Sequence, residues 1–242
     1  MRRIGVLGGM GPQATVLFQQ CLIDAVPAHD DADHVPLLVD MNPQVPSRIA
    51  HLIDGTGEDP GPVLAAMARR LAEAGAEALA MPCNTAHHYA DAIRGGAPVP
   101  FIDMVALSCQ RADEAAATGA PIGILGSPAL RRAGVFDPVL AGLGREAAYP
   151  ADEDALLAAI RDVKAGRDPA AARATLAHAA GTLAGNGAGA VLVACTEFSI
   201  HADADVAIGP APLIDTLDVL VEATLAFARH GRLEGPAKRA AA

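Results

Sequence analysis

Short apolar runs alternate along this chain with amphipathic stretches and Gly- or Pro-rich turns. Residues 4–7 (Ile4-Gly5-Val6-Leu7) read as a strand that runs into the turn Gly8-Gly9-Met10-Gly11-Pro12. A helix over 13–25 follows, opened by Pro12 near its first position. The pattern then predicts a strand at 35–39 closed by Asp40, a Pro-rich loop from Asn42 to Arg48, and a helix at 62–74 capped by Gly75. A strand at 77–81 ends on Cys83, a helix covers about 86–94 before a turn at Gly95-Gly96, and a short strand at 99–102 leads into a helix at 105–118. Ile122-Gly123-Ile124-Leu125-Gly126-Ser127 restarts the pattern. After it come a helix, a strand near 146–148, helices at 152–163 and 169–184, a strand at 190–194 ending on Cys195, and Ile214-Asp215 before a final helix at 216–230. Residues 231–242 read as a frayed tail.

The second half repeats the first. Gly75 lies 8 residues before Cys83, and Gly187 lies 8 before Cys195; Ile102-Asp103 and Ile214-Asp215 follow the two cysteines by 19 and 20 residues. Helix, Gly cap, strand, Cys, helix, strand and Ile-Asp therefore recur at an offset of 112. Strands alternating with helices imply an α/β fold of two pseudo-symmetric lobes, each a parallel sheet flanked by helices. The lobes are placed at 1–118 and 119–230, with the final helix, 216–230, free to pack back on the first. Ligands of such sheets bind beyond the carboxyl ends of the strands. If the lobes face each other, Cys83 and Cys195 point into one cleft between them.

Composition narrows the function. The 242 residues are 52% apolar with a net charge of −10, enough to bury a core and without a basic cluster for nucleic acid or an anionic membrane surface. No apolar run reaches the roughly 18–20 residues of a membrane span. Four cysteines without close pairing fit a reducing, cytoplasmic compartment rather than a disulfide framework. There is no Cys-x-x-Cys, the adjacent His87 and His88 cannot share a helix face, and no Lys sits where it would anchor a cofactor, so no metal and no cofactor are expected. Gly9-Met10-Gly11-Pro12-Gln13-Ala14, with Asp40 as ribose partner, is a weak dinucleotide pattern; a tight turn whose N–H groups face the cleft is the plainer reading.

A lone cysteine at a strand end is usually a small buried residue. Two at matched positions, each followed within two residues by a Thr, point to chemistry. Thiols on opposite faces of a small substrate suit 1,1-proton transfer: one, as thiolate, removes a proton from a stereogenic carbon, and the other delivers one to the opposite face. Cys21 and Cys109 lie mid-helix and read as core; Asp103 and Asp215 read as helix caps, and His87 as a supporting residue. Arg48 is the only Arg or Lys between Arg3 and Arg69, a candidate carboxylate clamp that spacing alone does not separate from a solvated loop charge.

The opening from Ile4 to Thr15, Asn42-Pro43-Gln44-Val45-Pro46-Ser47-Arg48, Met81-Pro82-Cys83-Asn84-Thr85-Ala86-His87, Val163-Lys164-Ala165-Gly166 and Ala194-Cys195-Thr196-Glu197 together resemble the motifs of the aspartate/glutamate racemase family, cofactor-independent two-cysteine enzymes. The resemblance runs from Ile4 to about Ala228 and is nearest the aspartate racemase branch. It implies a catalytic pair, Cys83 and Cys195. It implies that Asn84, Thr85 and Thr196, with the Met10-Gly11 loop, hold the substrate α-carboxylate, and that Arg48 and Lys164 grip a distal carboxylate. Asn42, Ser127 and Glu197, which sit within or beside these motifs, are further candidate contacts. It also implies a homodimer acting on a small dicarboxylic amino acid.

Two departures stand out. The loop after the first strand of the second lobe, Gly126-Ser127-Pro128-Ala129-Leu130, offers only the Ser127 hydroxyl where the family is often Thr-rich. The Asp-Ser pair of cell-wall glutamate racemases is missing, and Thr196 is followed by Glu197 rather than His. These point toward aspartate, with glutamate left open. Alternatives are a maleate-type isomerase or malonate-type decarboxylase of the same family, which need one cysteine, and a non-catalytic pair of lobes that binds a small anion.

Overall fold

A computed structural model describes residues 1–165, 167, 169–199 and 211–233. Residues 234–242, most of the predicted tail, lie outside the described residues, as do the side chains of Lys164 and Glu197. The first half runs β1 (Ile4–Gly8), α1 (Pro12–Asp24), β2 (Leu37–Met41), α2 (Arg48–Leu52), α3 (Gly61–Glu73), β3 (Ala78–Ala80), α4 (Ala90–Gly96), β4 (Phe101–Ile102) and α5 (Met104–Ala115). The second runs β5 (Ile122–Leu125), α6 (Pro128–Arg132), α7 (Asp137–Gly142), β6 (Ala147–Ala148), α8 (Glu153–Lys164), α9 (Pro169–Gly185), β7 (Ala190–Val193), α10 (Thr196–Ser199), β8 (Leu213–Asp215) and α11 (Thr216–His230).

Two four-stranded sheets result, ordered β2-β1-β3-β4 and β6-β5-β7-β8, with every pairing parallel. The second order is the first repeated, as the offset of 112 residues requires. β2 starts two residues later than its apolar pattern suggests. Pro36 has no N–H to donate, so its carbonyl accepts from Ile4 and the paired register begins at Ile4 opposite Leu37. The predicted helix after Cys83 divides into a 3-10 turn, Thr85–Tyr89, and α4. Gly75 and Gly187 close α3 and α9 with φ of 94° and 96°, a left-handed geometry that costs glycine little.

Side chains alternate across each strand, and the alternation sorts the core into layers. In the first sheet Leu79 and Met81 face α3 and α4, whereas Ile4, Val6, Ala78 and Ala80 face α1 and α11. In the second, Val191 and Val193 face α8 and α9, whereas Ile122, Ile124, Ala190 and Leu192 face α5 to α7. The helices that end the two lobes are therefore exchanged. α5 leaves the first sheet yet buries Val105, Cys109 and Ala112 on the second; α11 leaves the second yet buries Leu217, Leu220, Val221 and Leu225 on the first. Arg111 of α5 and Glu222 of α11 form an ion pair at 2.6 Å where the two helices meet. At about 1.5–3 kcal/mol for each fully buried Leu or Val, the α11 face alone contributes on the order of 5–10 kcal/mol, comparable to the net stability of a domain. No helix among the described residues is long and apolar enough to cross a membrane.

Candidate active site

β3 and β7 deliver the two cysteines. Each strand ends in a tight turn: the Cys83 N–H donates to the Met81 carbonyl, and the Cys195 carbonyl accepts from Phe198 and Ser199 at 2.8 and 3.3 Å. Cys83 and Cys195 are 8% and 7% exposed, so each thiol sits at the edge of a core with one side open. They line one cleft of ≈ 260 Å³ between the lobes. The other thiols lie elsewhere. Burial pushes Cys109 up to about 12, with Asp103 adding to it, and burial also raises Cys21, so both stay protonated at neutral pH.

Met10, Asn84 and Thr85 line the cleft from the first lobe, and Ser127 and Thr196 from the second. The Met10 loop is held by Gly9, whose N–H donates to Thr15 Oγ1 at 3.0 Å. Gly9 has φ 93°, and a Cβ there would sit 2.3 Å from the Asn42 backbone, so no other residue lets these two loops cross so closely. Arg48 opens α2, a helix the pattern read as loop; it forms because the Ser47 hydroxyl accepts from Ala50 N–H at 3.2 Å. The Arg48 guanidinium lines the cleft and donates to the carbonyls of Val45 and Pro46 at 3.3 and 3.1 Å, which fixes its base. A 2.7 Å hydrogen bond between His51 Nδ1 and the Tyr89 hydroxyl ties α2 to the turn that follows Cys83.

Two predicted residues stand outside the cleft wall. Gly11 is the N-cap of α1, its carbonyl accepting from the Thr15 N–H and hydroxyl. Asn42 shapes its own loop, accepting from Gln44 N–H at 3.0 Å and donating toward Met67 Sδ. The Asp40 carboxylate, the ribose partner of the weak dinucleotide pattern, is instead paired with Arg70 at 2.6 Å. Besides Ile49 on α2, three cleft residues escaped the sequence reading: Leu157, Ile160 and Arg161 on α8. Their spacing with Lys164 follows one helical stripe, a signal weakened by Ala158 and Ala159 within it and Leu156 and Val163 beside it.

A hydrogen-bonded chain joins the lobes beside the cysteines. Asn84 Nδ2 donates to Thr216 Oγ1 at 3.0 Å, and that hydroxyl donates to the Val193 carbonyl at 2.9 Å. Because the Thr216 proton goes to Val193, Thr216 Oγ1 can only accept from Asn84, which fixes the amide orientation. Asn84 is 4% exposed, and its Oδ1 is a buried acceptor with no hydrogen-bond partner among the described residues. Residues equivalent by the repeat support both turns by different chemistry. In the first lobe His87 Nδ1 bonds the Cys83 carbonyl at 2.8 Å while Nε2 accepts from Met104 N–H at 3.2 Å. In the second, Ser199 Oγ donates to Asp215 Oδ1 at 2.9 Å, and the same oxygen caps α11 through Leu217 N–H. Asp103 caps α5 in the matching way through Ala106 N–H. Burial pushes Asp215 up to about 6, against the two hydrogen bonds it accepts.

His87 yields a test. Burial holds its pKa below the usual 6.5, outweighing the pull of Asp103, and the donor–acceptor pattern requires the neutral ring. Its contribution to stability is complete above pH 6.5 and is lost as pH falls below that, because the unfolded imidazole takes a proton that the folded one refuses. His87→Gln should destabilise the protein by about 1–3 kcal/mol at pH 8, since one amide cannot serve both partners. Denaturant midpoints measured from pH 8 to 5 should show the gap to the parent narrowing; a constant gap would contradict a neutral buried ring.

Among the described residues no acidic side chain lines the cleft, and no group of three or more His, Cys, Asp or Glu is placed to hold a metal. Among the described residues the charged side chains that line the cleft are Arg48 and Arg161, one from each lobe. In a protein of net charge −10, the described residues of the cleft thus put two cationic side chains beside two thiols.

Comparison with known proteins agrees with this picture. The broad specificity amino-acid racemase RacX of Bacillus subtilis is 28% identical over 147 residues, 59% of this chain, and the chain spans 62% of the length of that curated relative. The aspartate racemase of Picrophilus torridus superposes with a TM-score of 0.81 at 27% identity, over 97% of this chain and 96% of that one. The glutamate racemase of Francisella tularensis, in complex with D-glutamate, shares the fold at a TM-score of 0.63 and 17% identity, over 98% of this chain and 84% of that one. The family model for Asp/Glu/Hydantoin racemase matches residues 7–224, and the chain belongs to that family.

Proposed function

We propose that the protein is a cofactor-independent amino-acid racemase that acts on aspartate, with glutamate as the nearest competing substrate. The observation that carries the reading is the cleft itself: the cysteines that end equivalent strands of two lobes line one cavity with an arginine from each lobe and no described acid. Cationic walls select an anionic substrate, and two guanidiniums suit a second carboxylate better than a neutral side chain.

The chemistry needs both thiols. One cysteine, as thiolate, takes the Cα proton and becomes a thiol; the electron pair stays on the carbon and spreads into the α-carboxylate. The other thiol gives its proton to the opposite face of that carbon and becomes the thiolate. Proton exchange with water resets the pair. A thiol of ordinary pKa near 8.5 needs only modest depression to act as a base at neutral pH. The Thr85 and Thr196 hydroxyls and the remaining amide proton of Asn84 are donors suited to the α-carboxylate. The buried Asn84–Thr216–Val193 chain holds these groups against both lobes, so the cleft is preorganised rather than assembled by the substrate.

Incubation with L-aspartate, with L-glutamate in parallel, followed by chiral analysis should yield D-aspartate and approach an equal mixture of enantiomers. Neither enantiomer interconverting for either substrate would overturn the reading. Turnover of maleate or a malonate without racemisation would assign the cleft to the one-cysteine chemistries instead.

A further inference from the structure

We infer that Arg161 is a specificity-determining residue that completes the grip on a dicarboxylate from the side of the second lobe, opposite Arg48. The inference rests on the anionic-substrate part of the function proposed above and names the group that enforces it.

Arg161 belongs to α8, where it follows Ile160 directly and lies four residues after Leu157. All three line the cleft, so this face of the helix is turned toward the cysteines. The helix gives Arg161 no counter-charge. Its neighbours at three and four positions are Leu157, Ala158, Lys164 and Ala165. The acids of α8 that pair do so elsewhere: Glu153 with Arg131 and Arg132, and Asp162 with Arg167. The Arg161 guanidinium forms no ion pair or side-chain hydrogen bond with any described residue. An exposed guanidinium with no counter-charge among the described residues, at the rim of a cleft that holds a second guanidinium, is electrostatically unfavourable without a bound anion. Such residues are better explained by the ligand that joins them than by the fold.

The two arginines are also unequal in a way that suggests their division of labour. Arg48 is braced by the Val45 and Pro46 carbonyls and by the His51–Tyr89 tie behind α2, so its position is set before substrate arrives. Among the described residues Arg161 has no such brace, which leaves its side chain free to adjust to the length of the ligand. Leu157 and Ile160 beside it form an apolar wall that excludes water from one side of the ion pair and strengthens it. A planar guanidinium on each side of one carboxylate discriminates by charge and by reach. A neutral side chain leaves both unpaired, and a monocarboxylate fills only the α-carboxylate position near the cysteines.

The test uses binding as well as turnover, so that it stands apart from the racemase assignment. Succinate and propionate, which carry no ammonium group and do not racemise, are titrated calorimetrically into the full-length parent protein, Arg161→Ala and Arg161→Lys, with thermal melts confirming that each variant is folded. Arg161→Ala should weaken succinate binding at least tenfold and leave propionate within twofold, and Arg161→Lys should fall between Ala and the parent. With aspartate as substrate, Arg161→Ala should raise KM at least tenfold while kcat changes less than threefold. Unchanged succinate affinity in Arg161→Ala, equal losses for succinate and propionate, or a parent that does not bind succinate would each overturn the inference. A parent that binds succinate through Arg161 yet interconverts no enantiomers would refute the racemase reading alone.

Discussion

Cys83→Ser and Cys195→Ser should each lower the rate of aspartate racemisation by roughly 10³–10⁴-fold, the size of a lost general acid or base. Serine occupies nearly the same volume, and both positions are almost buried, so the fold should be kept and the loss assigned to chemistry. A hydroxyl is far too weakly acidic to exist as an alkoxide at neutral pH, so neither variant can complete the relay. The two losses should nonetheless differ in kind. Each variant retains one working thiol, facing one side of the substrate carbon, and should still exchange the α-proton of the enantiomer that presents its proton to that thiol. Cys83→Ser and Cys195→Ser should therefore show opposite enantiomer preferences in solvent exchange monitored by NMR. The same preference in both would mean that the thiols do not flank the carbon.

Arg48→Ala should raise KM for aspartate by roughly 10–100-fold, in line with about 1.5–3 kcal/mol for hydrogen bonds to a charged group. Two contributions are removed together. The carboxylate loses its fixed partner, and the carbonyls of Val45 and Pro46 lose the donor that holds their loop. Arg48→Lys separates them, because an ammonium keeps the charge but cannot span the loop carbonyls and a bidentate carboxylate at once. Steady-state kinetics should place Arg48→Lys between Ala and the parent for aspartate. For alanine, which lacks the distal carboxylate, any residual turnover should change little in either variant.

Much of the architecture is legible in the sequence because it is written twice. Matching Gly75 to Gly187, Cys83 to Cys195 and Ile102-Asp103 to Ile214-Asp215 is enough to expect two sheets of one topology, and the strand orders agree. α11 spans the residues expected of it because Asp215 and Gly231 mark both its ends. The exchange of α5 and α11 is harder to read: an amphipathic stripe shows that a face is buried, not which sheet buries it. The short α2 and α10 were missed because one cap and one turn leave too few positions for a period to show.

The site divides in the same way. Cys83, Cys195, Met10, Arg48, Asn84, Thr85, Ser127 and Thr196 carry recognisable local motifs, and all line the cleft. Asn42 sits in a motif too, but its polar atoms turn the backbone rather than face the cavity. Thr216 and Ser199 act through contacts between residues distant in the chain, such as Asn84 with Thr216, which no spacing rule reveals. Ser199 could have been found by adding 112 to His87, but a hydroxyl standing where the other lobe has an imidazole does not look like an equivalent.

The central claim is that two thiols act on opposite faces of one carbon, and hydrogen isotope tracing tests it most directly. L-aspartate is incubated with the parent protein in D2O, and the deuterium content of each enantiomer is followed from the first turnovers. The two-base account predicts that every D-aspartate formed carries one α-deuteron while the remaining L-aspartate is still protiated at early times. D-aspartate that retains the original α-proton, or L-aspartate that acquires deuterium as fast as D-aspartate appears, would show a single group serving both faces and would contradict it.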